Sequence, residues 1–253
     1  TLDYQRTELE SVDVVLSWGD YGYWFENNGE RAAVADGSNA GYYTSIPQTN
    51  KTNYPIADML TSSNHSQHRD LLDKHGVDYI VLDQTMIGKY SAVSQISNRD
   101  NSEFQSMLQV GTGSARSSLS GDANSSVLTL SGRGINVYTP VDISGSGVNI
   151  SGAPTLETRR GRTQIGCVLT EQGEKEFNVT QESRFCVAEN PFYSLDRGIS
   201  TNSRTRLVLV PKSMKDHLLV DLYLQDGQGV SYVEKVPEAS NGYVKMWRVT
   251  EGA

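Results

Sequence analysis

Several absences bound what this chain can be. No run of about 18 apolar residues occurs in it, so no segment has the length and character of a membrane-spanning helix. Positive charge is in the minority, with 22 Lys and Arg against 30 Asp and Glu and a net charge of −8. A general nucleic-acid surface or a face for anionic lipid needs the opposite balance, so neither nucleic acid nor a membrane surface is an expected partner. Cysteine is scarce. Cys167 and Cys186 are the only two, and neither Cys-x-x-Cys nor His-Glu-x-x-His is present, which excludes the usual zinc spacings. A basic start followed by an apolar stretch, the mark of a signal peptide, is missing as well. The chain opens on Thr1, which reads as a fragment or a processed product.

What is present suits one or two globular domains. A chain of 253 residues can bury roughly 70–75% of its unfolded surface, so its stability needs no covalent staple. Cys167 and Cys186, 19 residues apart, are compatible with a disulfide contributing about 2–4 kcal/mol, or with two small buried apolar residues.

The first third reads as an α/β core. The apolar stretch 12–16 suits a short buried strand, and residues 17–40 a structured loop with Asn28-Gly29 as a turn. Ile56–Leu60 and Gln67–His75 suit helices, with Gly76 as the left-handed cap of the second. Val77–Leu82 follows as a second buried strand. Asp83 is placed to cap a helix carrying Met86, Tyr90, Val93 and Ile96 at helical spacing, and a further helix is expected through Phe104, Met107 and Leu108. Gly and Ser dominate 111–126, which suggests a boundary or long loop. Strand signals then prevail: 127–130, 135–138, 164–169, 204–210, 218–224, and a pair at 230–236 and 243–249 around Asn241-Gly242. The expected class is α+β, with an α/β core over 1–110 and a β-rich region over 111–253. That region is sandwich- or barrel-like, and is either a separate domain or an insertion followed by a return to the core.

One stretch carries chemistry. Ser17-Trp18-Gly19-Asp20-Tyr21-Gly22 follows the first strand and leads to Tyr23-Trp24-Phe25 and then to Arg31-Ala32-Ala33-Val34-Ala35-Asp36-Gly37. A lone carboxylate among aromatics and glycines can build a shallow polar pocket: glycine admits close approach, an indole N–H donates and a carboxylate accepts. The stretch resembles the archaeal oligosaccharyltransferase catalytic subunit in its extracytoplasmic C-terminal domain, where Trp-Trp-Asp-Tyr-Gly is followed by an Arg-x-x-x-Ala-Asp-Gly segment. Here Gly19 stands in place of the second Trp, removing one donor. A second family motif, Asp and Lys at fixed spacing on a helix, is similar to Asp83-x-x-Met86-x-x-Lys89.

The resemblance implies that Trp18, Gly19, Asp20, Tyr21, Gly22, Asp83, Met86 and Lys89 bind the Ser/Thr hydroxyl of an Asn-x-Ser/Thr acceptor polypeptide. The full-length enzyme would sit in the cell membrane with this segment on the extracytoplasmic face. It would take a lipid-linked oligosaccharide as donor and use Mg or Mn held outside this segment, which has no Asp-x-Asp pair and no expected catalytic residue or metal ligand. His65, His68 and His75 read as surface residues. Five Asn-x-Ser/Thr sequons, at Asn50, Asn64, Asn124, Asn149 and Asn178, suit an extracytoplasmic protein. The alternative from another class is a carbohydrate-binding or adhesion module using exposed aromatics such as Trp24 and Tyr43.

Overall fold

The computed structural model describes residues 2–35, 53–97, 107–110, 118–120, 126–132, 134–144, 147–180, 183–189, 207–241 and 243–251. Two compact units are present, one of Thr1–Gln105 with Asp216–Ala253 and one of Ser106–Lys215.

In the first unit the chain runs through α1 (Leu2–Glu8), β1 (Val14–Leu16), α2 (Gly22–Asn27), β2 (Ala32–Ala33), α3 (Asn53–Leu60), α4 (His65–His75), β3 (Tyr79–Asp83) and α5 (Thr85–Ser97). β1 pairs in parallel with both β2 and β3, and Val15 stands opposite Tyr79. Every residue of β3 is buried, as its unbroken apolar run requires of a strand covered on both faces. The helix signals act locally. The Asn64 side chain accepts the Gln67 N–H at 3.4 Å and the Ser66 hydroxyl at 2.8 Å. One of the five sequons is thus engaged in capping α4. Gly76 closes that helix at φ +58°, where a Cβ would be strained. Of the loop expected over 17–40, residues 17–35 contain a 3₁₀ turn (Gly19–Tyr21) continuing into α2, then the turn at Asn28 and β2; 36–40 lie outside the described residues.

The described residues of the second unit form eleven strands. β5 (Ser118–Ser120), β6 (Ser126–Gly132), β7 (Ile135–Ser144), β8 (Gly147–Ile150), β9 (Thr155–Thr158) and β10 (Gly161–Gln164) form one sheet. β4 (Leu108–Val110), β11 (Cys167–Thr170), β12 (Gly173–Glu176), β13 (Phe185–Glu189) and β14 (Leu207–Pro211) form the other. Leu128, Val137 and Leu156 from the first sheet share one core with Val168, Val187 and Leu209 from the second, so the two pack as a sandwich. Met107 and Leu108, expected in a helix, are not helical, and Leu108 begins β4; Phe104 lies outside the described residues.

Cys167 and Cys186 lie on the parallel neighbours β11 and β13 and form a disulfide. Closing a 19-residue separation constrains the unfolded chain. Replacing both cysteines by serine is expected to cost the second unit about 3 kcal/mol, read as a lower denaturant midpoint.

The chain then returns to the first sheet. β15 (Val233–Lys235) pairs antiparallel with β16 (Val244–Val249), and β16 with β3, completing the order β15-β16-β3-β1-β2. Residues 218–224, expected as a strand, are helical, with a π segment at Val220–Leu224. The run Leu218-Leu219-Val220-Asp221-Leu222-Tyr223-Leu224 is buried throughout. An element covered on every side carries no polar face from which a period could be read.

Candidate functional site

The parallel register carries β1 and β3 to the same edge of the sheet, and such an edge is where ligands bind in open α/β sheets. Trp18 leaves β1 almost fully buried, at 7% exposure, and its carbonyl accepts the Tyr21 N–H at 3.0 Å to close the turn. Gly19 and Gly22 are buried, so no side chain separates the turn from what lies beneath it. Asp20 is left at the apex, its side chain 60% exposed. The sequence Trp-Gly-Asp-Tyr-Gly therefore folds into a turn that sinks its indole and presents its carboxylate.

At the end of β3, Asp83 Oδ1 accepts the Thr85 N–H at 2.6 Å and starts α5, the capping role expected of it. One turn further on, Lys89 reaches back across the edge. Its Nζ donates to Asp20 Oδ2 at 2.8 Å and to the Tyr21 hydroxyl at 2.9 Å, and lies 4.5 Å from the Tyr21 ring centre. The Tyr21 hydroxyl also shares a hydrogen bond with the Thr85 hydroxyl. Burial alone would lower the pKa of Lys89, but the hydrogen bonds to Asp20 and Tyr21 outweigh it, and the ammonium is held above its ordinary value. Burial raises the Tyr21 phenol, with Lys89 and Thr85 pulling the other way. At neutral pH the site is a charged ammonium between a carboxylate and a neutral phenol.

Asp20, Tyr21 and Lys89 thus meet directly, and Asp83 adjoins them through Thr85. Trp18 and Met86 lie beneath; Met86 has no exposed surface. Beside Tyr21 opens a cavity of about 350 Å³, walled by Trp24, Phe25, Val81, Asp83, Thr85 and Tyr243. Trp24, at 57% exposure, and Tyr243 stand partly in solvent at this cavity. Thr85 was legible as the second residue after Asp83. Tyr243 had no local signal, because it arrives only through the pairing of β16 with β3.

Two other polar residues are buried in structural roles. Arg31, which opens the Arg-x-x-x-Ala-Asp-Gly segment, is buried, and its guanidinium donates to the carbonyls of Arg6, Leu9 and Glu30. It fastens the end of α1 rather than facing a ligand. Asp36 and Gly37 of that segment and Tyr43 lie outside the described residues. His68, expected at the surface, has no exposed surface and hydrogen-bonds the Tyr232 hydroxyl at 2.9 Å. Burial lowers its pKa to about 4, so the imidazole is neutral at pH 7.

Mg or Mn is expected outside this segment. The group of possible ligands among the described residues is Cys167, Glu174 and Cys186, and both sulfurs are consumed by the disulfide. No described helix is long and apolar enough to cross a membrane.

The C-terminal domain of C. jejuni PglB matches over 99% of this chain and 98% of its own, at 13% identity and a TM-score of 0.53. The C-terminal globular domain of a Pyrococcus abyssi oligosaccharyltransferase matches over 96% of this chain and 48% of its own, at 13% identity and a TM-score of 0.52. These likenesses establish the mixed α+β fold. The Archaeoglobus fulgidus oligosaccharyltransferase, solved with Zn and sulfate, shares 16% identity over 90% of this chain, which spans 20% of that protein, at a TM-score of 0.40. No match is found among curated protein sequences. The model of the STT3/PglB/AglB core domain matches residues 11–143, more than half of the chain and all of the turn, β3 and α5 described above, and the chain belongs to that family.

Proposed function

We propose that this chain is the extracytoplasmic C-terminal part of a membrane oligosaccharyltransferase, and that the edge formed by Asp20, Tyr21 and Lys89 receives the Ser/Thr hydroxyl of an Asn-x-Ser/Thr acceptor. The observation that carries the reading is the Asp20–Lys89 pair, a charged donor and a charged acceptor 2.8 Å apart at a solvent-facing edge. A hydroxyl is both donor and acceptor. It donates to the free lone pairs of Asp20 and accepts from Lys89, whose ammonium has three N–H groups and gives two to Asp20 and Tyr21. A methyl in its place would desolvate both charges and pair with neither. Trp18, Gly19 and Gly22 shape the turn that presents Asp20, Asp83 begins the helix that presents Lys89, and Met86 anchors that helix in the core. The bond change itself, the lipid-linked donor and the metal belong to the membrane portion in this reading.

Peptide glycosylation by the full-length parent tests it. An Asn-x-Thr acceptor should be transferred at least about a hundredfold faster than the matching Asn-x-Ala peptide, since sites built to hydrogen-bond a hydroxyl reject analogues lacking it by large factors. Equal rates would remove the assignment. The rival carbohydrate-binding reading draws on Trp24 and Tyr243 at the neighbouring cavity. It requires saccharide binding that Trp24→Ala abolishes and Asp20→Ala leaves intact.

A further inference from the structure

The charges of the chain are unevenly shared. Residues 106–215 carry 12 Lys and Arg against 9 Asp and Glu, whereas the remainder carries 10 against 21. Three described arginines of the sandwich border one cavity. Arg159 and Arg160 form the tight turn between β9 and β10, and Arg184 precedes β13; together they border a cavity of about 830 Å³ in the second unit. Register explains the composition of its wall. Leu156 and Thr163 are cross-strand partners on one face of the β9–β10 hairpin, and both line the cavity. Glu157 and Arg162 are the next pair, on the opposite face, where they bond each other at 2.6 Å.

That opposite-face pair sets the cavity arginines apart. Arg162, Lys89, Lys215, Lys235 and Lys245 each hold a carboxylate. Among the described residues, Arg159, Arg160 and Arg184 have no carboxylate partner. Like charges brought together without a counter-charge repel one another, and an anion relieves that cost. The rest of the lining narrows the choice of anion. Thr158 and Thr163 supply hydroxyls, while Ile135, Leu156 and Phe185 supply an apolar wall, with the Arg184 guanidinium 5.2 Å from the Phe185 ring centre. A lone phosphate would not fill 830 Å³ and has no use for an apolar wall. A sugar acid uses every part: planar carboxylates for guanidinium forks, hydroxyls for the threonines, and an apolar ring face for Leu156 and Phe185.

We infer that this cavity is a binding site for acidic saccharide, a second site that is independent of the acceptor edge. Titration of the 253-residue chain with trigalacturonate, followed by backbone amide NMR at fixed ionic strength, tests it. Saturable shifts confined to residues 156–163 and 183–185 are expected, with maltotriose giving none. Arg159→Gln with Arg184→Gln should weaken binding at least about tenfold, as loss of charge-assisted bonds requires. Arg162→Gln, on the other face, should bind as the wild type does. These arginines are exposed, so an unchanged amide spectrum elsewhere verifies folding. Absence of binding, undiminished binding by the double variant, or inorganic phosphate matching trigalacturonate would each overturn the assignment. So would capture on phosphatidylglycerol vesicles, lost in the double variant, without any response to the sugar.

Discussion

Asp20→Ala in the full-length parent is expected to slow transfer to an Asn-x-Thr peptide by about ten- to hundredfold while leaving the fold in place. The rate effect follows from one charge-assisted hydrogen bond to the acceptor hydroxyl, about 1.5–3 kcal/mol, at 1.4 kcal/mol per factor of ten. The small stability effect follows from exposure: the Asp20 side chain is 60% and the Lys89 side chain 34% accessible, and exposed ion pairs contribute about 0–1 kcal/mol. Thermal unfolding measured beside the transfer assay separates the two. Asp20→Asn keeps an acceptor of the same shape without its charge, so it should fall between wild type and Asp20→Ala. Lys89→Met removes the remaining donor and should narrow the preference for Asn-x-Thr over Asn-x-Ala. Asp20→Ala transferring at the wild-type rate would leave the turn with a structural role only.

The largest stability effect belongs to Asp226→Ala. Lys245, on β16 between β15 and β3, is 1% exposed, and its ammonium donates to Asp226 Oδ1 at 2.7 Å; Lys235 from β15 donates to Oδ2 at 2.6 Å. Removing the carboxylate breaks a buried ion pair from one side, which costs about 3–5 kcal/mol. Asp226 also sits at φ +58°, a conformation alanine adopts less readily by roughly 1–2 kcal/mol. Equilibrium denaturation at pH 7 should therefore show the midpoint fall sharply. The pH dependence has a definite sign. Burial pushes the Asp226 carboxyl up, but hydrogen bonds from Lys235 and Lys245 and their charges prevail, and its folded pKa lies below the ordinary value. The contribution is thus complete above about pH 4, the unfolded value, and is lost as pH falls through the folded one. Wild type should lose stability over that acid range by more than Asp226→Ala does. Lys245→Met, which replaces the buried charge by an apolar chain of similar length, should cost much less. Equal losses for Asp226→Ala and Lys245→Met would refute the account.

Local sequence determined a good deal of this protein. The cap of α4 at Gly76, the buried run of β3 and the start of α5 at Asp83 each depend on residues within a few positions of one another, so spacing alone reveals them. The order Trp18-Gly19-Asp20-Tyr21-Gly22 and then Asp83-x-x-Met86-x-x-Lys89 pointed to one family, and the meeting of Asp20 with Lys89 across 69 residues accords with that order. The sequence left open whether Cys167 and Cys186 bond, because pairing depends on β11 and β13 lying side by side. It misassigned 218–224, where burial on all sides erases the period that separates helix from strand. Only the tertiary structure buried Trp18 and Met86 beneath the edge, set Arg31 against the end of α1, brought Tyr243 to the cavity beside Tyr21, and gathered Arg159, Arg160 and Arg184 with no carboxylate partner among the described residues. Those placements arise from strand pairing and register between distant segments, and no local pattern of residues encodes them.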